Sequence, residues 1–198
     1  MRAYTNDPLV SPVTNQELAD WLYLDDDTDP LLPVMTVTAT QAVIDYLQRD
    51  LLPRAWILTH EEWPSVGPAF RYSDITFDFT CFKRVIDLPY AGAISVDTVT
   101  VYGEETTEYR LLDSLPSKIK FHYRATVTDE NEPAIVVNYT AGMGATPADI
   151  PQAIKTAILM IAAYMFEHRG QCDAETAIKD TGAATVLQPF RVAAGLVV

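Results

Sequence analysis

Apolar side chains recur along this chain with two different periods, and the change between them divides it. In DIPQAIKTAILMIAAYMFEHRG, residues 149–170, Ile154, Ile158, Ile161 and Met165 fall on one side of a helix. Leu159, Met160, Ala163 and Phe166 fall elsewhere around it. A helix on the surface of a monomer shows one apolar stripe and one polar face. A bilayer span needs about twenty apolar residues. The run from Ala157 to Phe166 is too short for the second and too apolar for the first. It predicts a helix over 151–169 that something covers on both faces.

Two further helices are predicted near the N-terminus. Thr14 and Glu17 form a capping-box pattern for an amphipathic helix over Asn15–Leu24. Asp29 can cap a second helix with Pro30 in its first position, where the missing N–H costs nothing. Met35, Ala39, Ala42, Val43, Tyr46 and Leu47 then recur at three- and four-residue steps, as far as Leu52, and Pro53 closes the helix. Its TVTAT stretch has weak helix propensity, so packing has to hold it.

From Trp56 to Tyr139 the period becomes two. Ile75, Phe77, Phe79 and Cys81 alternate with polar residues, as do Ile119, Phe121 and Tyr123; Ile135, Val137 and Tyr139 alternate with Val136 and Asn138. Further strands are expected at Trp56–Trp63, Val85–Leu88, Ile94–Tyr102 and Tyr109–Leu112, separated by Gly, Pro and acidic turns. Together they predict an antiparallel sheet or a small barrel. TAGMGATPADIP returns the chain to the long helix, with two glycines allowing a tight reversal. His168, Arg169 and Gly170 suit that helix's C-terminal end. Residues 171–182 read as a mobile linker, and AATVLQPFRVAAGLVV as a short helix or an extended apolar tail. The expected fold class is α+β within one domain, 1–198. A helical layer (13–53 and 150–170) carries an inserted antiparallel β module (55–141), followed by a linker and C-terminal segment (171–198).

Composition narrows the function. The chain has 198 residues, 48% apolar, enough for one good core. Its opening MRAYTNDPLVSPV lacks the apolar core of a signal peptide, and no apolar run reaches membrane length. Cys81 and Cys172 are far apart and form no CxxC, which suits two reduced thiols in a cytoplasm. With 14 Lys and Arg against 27 Asp and Glu, the net charge of −13 argues against sequence-specific DNA binding. It does not stop the protein lying beside DNA without gripping it.

The chemistry-bearing patterns point away from catalysis. His60–Trp63 (HEEW) lacks the second histidine of a zinc-protease helix. Asp25, Asp27 and Asp29 open like a calcium loop, but Pro30 and Thr36 stand where the turn glycine and the closing glutamate belong. Neither a phosphate loop nor a nucleophile motif is present. Glu61 and Glu62 are adjacent in a strand and so point to opposite faces. No catalytic, cofactor or metal residues are expected. One strand is less ordinary. Lys118, Lys120, His122 and Arg124 share a face, which either lines a DNA channel or is solvated and paired across the ladder with Glu104, Glu105 or Glu108.

Several landmarks occur in a fixed order. Leu88-Pro89 precedes Ile94-Ser95-Val96; Tyr139-Thr140-Ala141-Gly142 is followed by Ile150-Pro151 and Ala153-Ile154-Lys155; Pro189-Phe190-Arg191 comes last. In this order the chain resembles the head–tail connector (adaptor, or head-completion) proteins of tailed bacteriophages, from about Asn15 to Val192. The second helix and the 171–182 linker depart from that pattern.

The resemblance implies a virion protein without catalysis, located in the neck and assembled in the bacterial host cytoplasm. It implies a homo-oligomeric ring, typically of about twelve copies, closed by head-to-tail contacts. Its partners would be the portal protein, a tail or stopper protein, and genomic DNA passing through the lumen without sequence-specific binding; no membrane is involved. On this reading Ile154, Ile158, Leu159, Ile161, Met165 and Phe166 are core or subunit-interface residues, the helix meeting its own layer on one side and a neighbour on the other. Phe190, Arg191, Leu196, Val197 and Val198 are the candidates for docking on the portal, the alternative being that this segment folds back on the helical layer. Lys118, Lys120, His122 and Arg124 are the candidates for the DNA channel, the alternative being a solvated face. The alternatives are a stopper, tail-completion or other minor virion protein, or a cytosolic binding module.

Overall fold

The computed structural model describes residues 1–64, 84–90, 92–122, 132–168 and 173–192. The strand expected at Ile75–Cys81 lies outside them, as do Cys172, Tyr123 and Arg124. The architecture is α+β, as the two periods predicted. In chain order come β1 (Arg2–Tyr4), α1 (Asn15–Trp21), α2 (Leu31–Leu47), β2 (Arg54–His60), β3 (Val85–Asp87) and β4 (Ala93–Val101). Then follow β5 (Glu104–Glu105), β6 (Tyr109–Leu112), β7 (Lys118–Phe121), β8 (Ile135–Ala141), α3 (Gln152–Glu167), α4 (Ala174–Asp180) and α5 (Ala183–Leu187). The chain divides into two compact units: residues 1–6 with 55–140, and residues 7–54 with 141–198.

In the helical unit α3 packs against α1, α2, α4 and α5. Ile154, Ala157, Ile158 and Ile161 are fully buried, and so are Leu18 of α1, Leu32, Val43 and Leu47 of α2 and Leu187 of α5. The chain's own helices therefore cover α3 on several sides. Ile154, Ile158, Leu159 and Ile161 thus lie in the chain's own core, whereas Met160, Tyr164, Met165 and Phe166 are half-buried. Four short or medium helices need a common apolar surface to fold against, and α3 is that surface.

Local chemistry explains the boundaries of α1 and α2. The Thr14 hydroxyl accepts the Glu17 N–H at 3.1 Å and the Glu17 carboxylate accepts the Thr14 N–H at 2.7 Å, the reciprocal cap expected of α1. Asp29 accepts the Leu31 N–H at 2.9 Å, but Pro30 is the N-cap residue of α2 rather than its first helical position. The helix ends at Leu47, five residues before Leu52, where Gln48 turns left-handed at φ +55°. The weak TVTAT stretch is held from within: the Thr36 hydroxyl donates to the Leu32 carbonyl at 2.8 Å and Thr40 to Thr36 at 2.7 Å. Threonines can be buried there because the preceding turn satisfies their hydroxyls.

The reading of 171–182 as a linker is corrected in its described part. Asp173 caps α4, accepting the Thr176 N–H at 2.7 Å, and Ala177 and Ile178 are buried. A seven-residue helix carries too little periodicity to be seen in sequence.

Among the described residues the β unit holds a five-stranded sheet in the order β1-β2-β8-β4-β5 and a three-stranded sheet in the order β3-β7-β6. β1, too short to show a period, pairs antiparallel with β2. β8 alternates without a break from Ile135 to Ala141, and its Tyr139 hydroxyl donates to the Pro89 carbonyl at 2.9 Å. Trp56 stacks on Tyr90 at 4.0 Å. Between β4 and β5 the two turn residues Tyr102 and Gly103 both have positive φ (49° and 80°), the tight hairpin turn whose twist suits its strands.

The glycines of TAGMG serve close packing rather than a left-handed turn. A Cβ on Gly142 would lie 2.9 Å from the Leu52 carbonyl carbon and 3.0 Å from the Pro53 nitrogen. The adjoining Met143 and Gly144 N–H groups both donate to the Leu51 carbonyl.

Two outcomes follow for the helical unit. Ile158→Asp buries an uncompensated charge and should cost about 3–5 kcal/mol in denaturant unfolding. Met165→Asp, half-buried, should cost much less; equal losses would contradict the placement of α3. Gly142→Ala should destabilise by about 1–3 kcal/mol, because the Leu52–Pro53 backbone has to move. An unchanged melting temperature would show that the loop relaxes freely.

Candidate functional site

On α3 the expected interface residues divide by burial. Ile154, Ile158 and Ile161 are fully buried and Leu159 nearly so, all within the chain, whereas Met165 and Phe166 near its C-terminal end are half-buried. Beside them the Tyr164 hydroxyl donates to the Asp180 carboxylate at 2.9 Å, tying α3 to α4.

The C-terminal segment is tied to the helical unit as far as Val192. Leu187 and Val192 are buried, and the Val192 N–H donates to the Leu47 carbonyl at 3.1 Å. The Tyr46 hydroxyl reaches the Gln188 side-chain oxygen at 3.1 Å, and the Arg191 guanidinium lies over the Tyr46 ring at 5.2 Å. Phe190 is half-buried in a 3-10 turn. Expected portal anchors, Phe190 and Arg191 thus sit against their own chain, and Leu196, Val197 and Val198 lie outside the described residues.

The basic strand is β7, centre of the three-stranded sheet. Ile119 and Phe121 are buried on one face; Lys120 and His122 are exposed on the other, with Lys118 half-exposed. Arg124 lies outside the described residues. Lys118 pairs with Asp87 at 3.0 Å, its cross-strand neighbour, and not with the glutamates expected from sequence. Lys120 stands opposite Val85 on β3 and Arg110 on β6. Arg110 is a further cation of this face that the sequence reading missed. Only the register places it there, so no linear pattern announces it.

A second surface missed from sequence is a groove in the helical unit. Glu17, Asp20, Trp21 and Tyr23 at the end of α1 line it, with Gln152, Thr156 and Leu159 of α3. Trp21 is 45% exposed and Tyr23 95% exposed, the latter held at φ +56°. Its signal was the pair of aromatics in WLYLDDD, set directly before an acidic run.

The remaining polar clusters have structural work. Hydrogen bonds from Thr28 hold the Asp26 carboxyl below the usual carboxylate range, those from Thr146 do so for Asp149, and those from Thr176 for Asp173. Burial lowers the Arg49 guanidinium from its ordinary value. Within the acidic run, Asp26 thus holds a turn and Asp29 the start of α2. A small pocket of about 100 Å³ in the β unit is lined by Trp63, Phe121, Glu104, Glu105 and Glu108. Among the described residues no group of three or more His, Cys, Asp or Glu is placed to hold a metal, and no helix is long and apolar enough to cross a membrane.

No family model and no curated protein matches the chain. Solved structures do. A chain in the neck of an empty gene transfer agent particle, computed with C6 symmetry, is 18% identical with a TM-score of 0.73, over 100% of this chain and 99% of that one. A chain in the virion of a native gene transfer agent particle gives 18% and 0.69, over 100% and 99%. One in the neck of a native particle, computed with C12 symmetry, gives 18% and 0.67, over 98% of each. From end to end, this chain has the fold of those particle chains.

Proposed function

We propose that the protein is a structural component of the neck of a tailed-phage-like particle, a connector that joins the portal vertex to the tail and lets DNA pass. The observation that carries this reading is the full-length likeness to chains in such particles, two of them in necks computed with C6 and C12 symmetry. The landmarks shared with head–tail connector proteins point the same way. The working form is a ring of about twelve copies closed by head-to-tail contacts. It performs no catalysis: its function is to bind the portal on one side and a tail or stopper protein on the other. Copies at −13 each sum to a net charge on the order of −150, a field that keeps passing DNA from adhering. The single connector domain comprises both compact units, and assembly takes place in the host cytoplasm before the ring enters the virion neck.

Mass photometry of the purified protein, alone and mixed with the portal protein of the same particle, tests the reading. A ring, free or on the portal, is expected. A protein that stays monomeric in both and instead binds tail-side components alone would favour a stopper or tail-completion role.

Portal docking is assigned to the apolar terminal residues Ala193–Val198, including Leu196, Val197 and Val198, because Phe190 and Arg191 are engaged by their own chain. Removing 193–198 should abolish portal recruitment at an unchanged melting temperature. A lower melting temperature with recruitment intact would show that the segment stabilises its own subunit instead.

A further inference from the structure

We propose that the α1–α3 groove of one copy receives the exposed Arg110–Lys120 face of the next copy's three-stranded sheet, and that this is the head-to-tail contact of the ring. The inference rests on the ring reading above and names the surfaces that make it.

The first observation is the groove's character. Trp21 and Tyr23 expose large aromatic surface beside Glu17 and Asp20, over a floor that includes Leu159. Between Asp7 and Gln48 the chain contains no Lys, Arg or His, so every ionised side chain of that stretch is an acid. An exposed aromatic pair rimmed by one sign of charge marks a contact surface and fixes the partner's charge. The partner face has to be basic.

The second observation supplies such a face on the same chain. Arg110 and Lys120 are exposed and directly opposite each other on paired strands. Like charges in that position repel. Among the described residues the neighbouring acids do not resolve the repulsion: Asp87 holds Lys118 at 3.0 Å, and Glu108 stands opposite His122, whose N–H donates to the Glu108 carbonyl. In a chain with nearly twice as many acids as bases, two exposed cations set against each other suit an outside anion. The acidic groove of an identical copy provides it.

The two faces are different patches, so their contact is heterologous, the type that generates rings when the rotation closes. Each copy donates one basic face and accepts another. DNA is the weaker occupant for the basic face, because phosphate binding requires many cations and this sheet offers few. Trp21 and Tyr23 fit the contact as well, since aromatic anchors and arginine are the residues that dominate protein interfaces.

Charge exchange tests the pairing. Asp20→Lys and Lys120→Glu are both exposed changes that leave the Glu17 cap of α1 intact. Each alone should weaken ring assembly about tenfold or more by mass photometry, with unchanged melting temperatures. The double variant, which restores opposite charges, should recover most of the loss, and Trp21→Ala should weaken assembly without any charge change. Normal rings from either single charge variant would overturn the contact while leaving the ring itself standing. Losses without recovery in the double variant would overturn the pairing. Intact rings with DNA lost from filled heads in Lys120→Glu would assign the basic face to the channel instead. A wild-type protein that forms no ring, alone or on portal, would overturn both proposals.

Discussion

Everything in the helical unit depends on covering α3. An almost entirely apolar helix cannot stand in water, and α1, α4 and α5 are too short to persist alone. Each solves the other's problem. The long α2 lies along α3, and the short helices close over the remaining sides. Fully buried Ile154, Ile158 and Ile161 are the common surface against which four helices fold. Alanines at 157, 162 and 163 let those neighbours approach closely.

A second constraint acts where the chain leaves the helical unit and returns. Leu51 receives two N–H groups from the returning 143–144 segment, and Gly142 passes against the Leu52–Pro53 backbone with no room for a side chain. Val192 comes back to Leu47 within the same neighbourhood. Asp50 is buried here with Arg54 at 4.0 Å. Three distant stretches of sequence thus share one seam, which fixes the exit and return of the β insertion. The C-terminal residues as far as Val192 belong to that seam.

Charge follows a different logic from packing. The carboxylates of Asp26, Asp29, Asp149 and Asp173 are engaged in turns and caps, which accounts for them without a metal or a catalytic role. Among the described residues, the aromatic groove at the end of α1 and the cation pair on the three-stranded sheet have no such structural role. Surfaces of that kind, apolar enough to bind and charged enough to choose orientation, suit the proposed contact between copies.

The sequence alone determined the period of each segment, and through it the α+β class, the capping box of α1, the alternation of β8 and the apolar character of α3. These are local properties, set by residues within a few positions of one another. It could not say who covers α3, because an all-round apolar helix reads the same beside its own chain or beside a neighbour; the fold supplied α1, α2, α4 and α5. It could not show that Gly142 is small because Leu52 is near, that Arg110 faces Lys120, or that Asp87 rather than a glutamate takes Lys118. Nor did it reveal β1 and α4, which are too short for a period and exist through pairing and burial. Such facts join residues far apart along the chain, and only tertiary structure decides which distant residues meet.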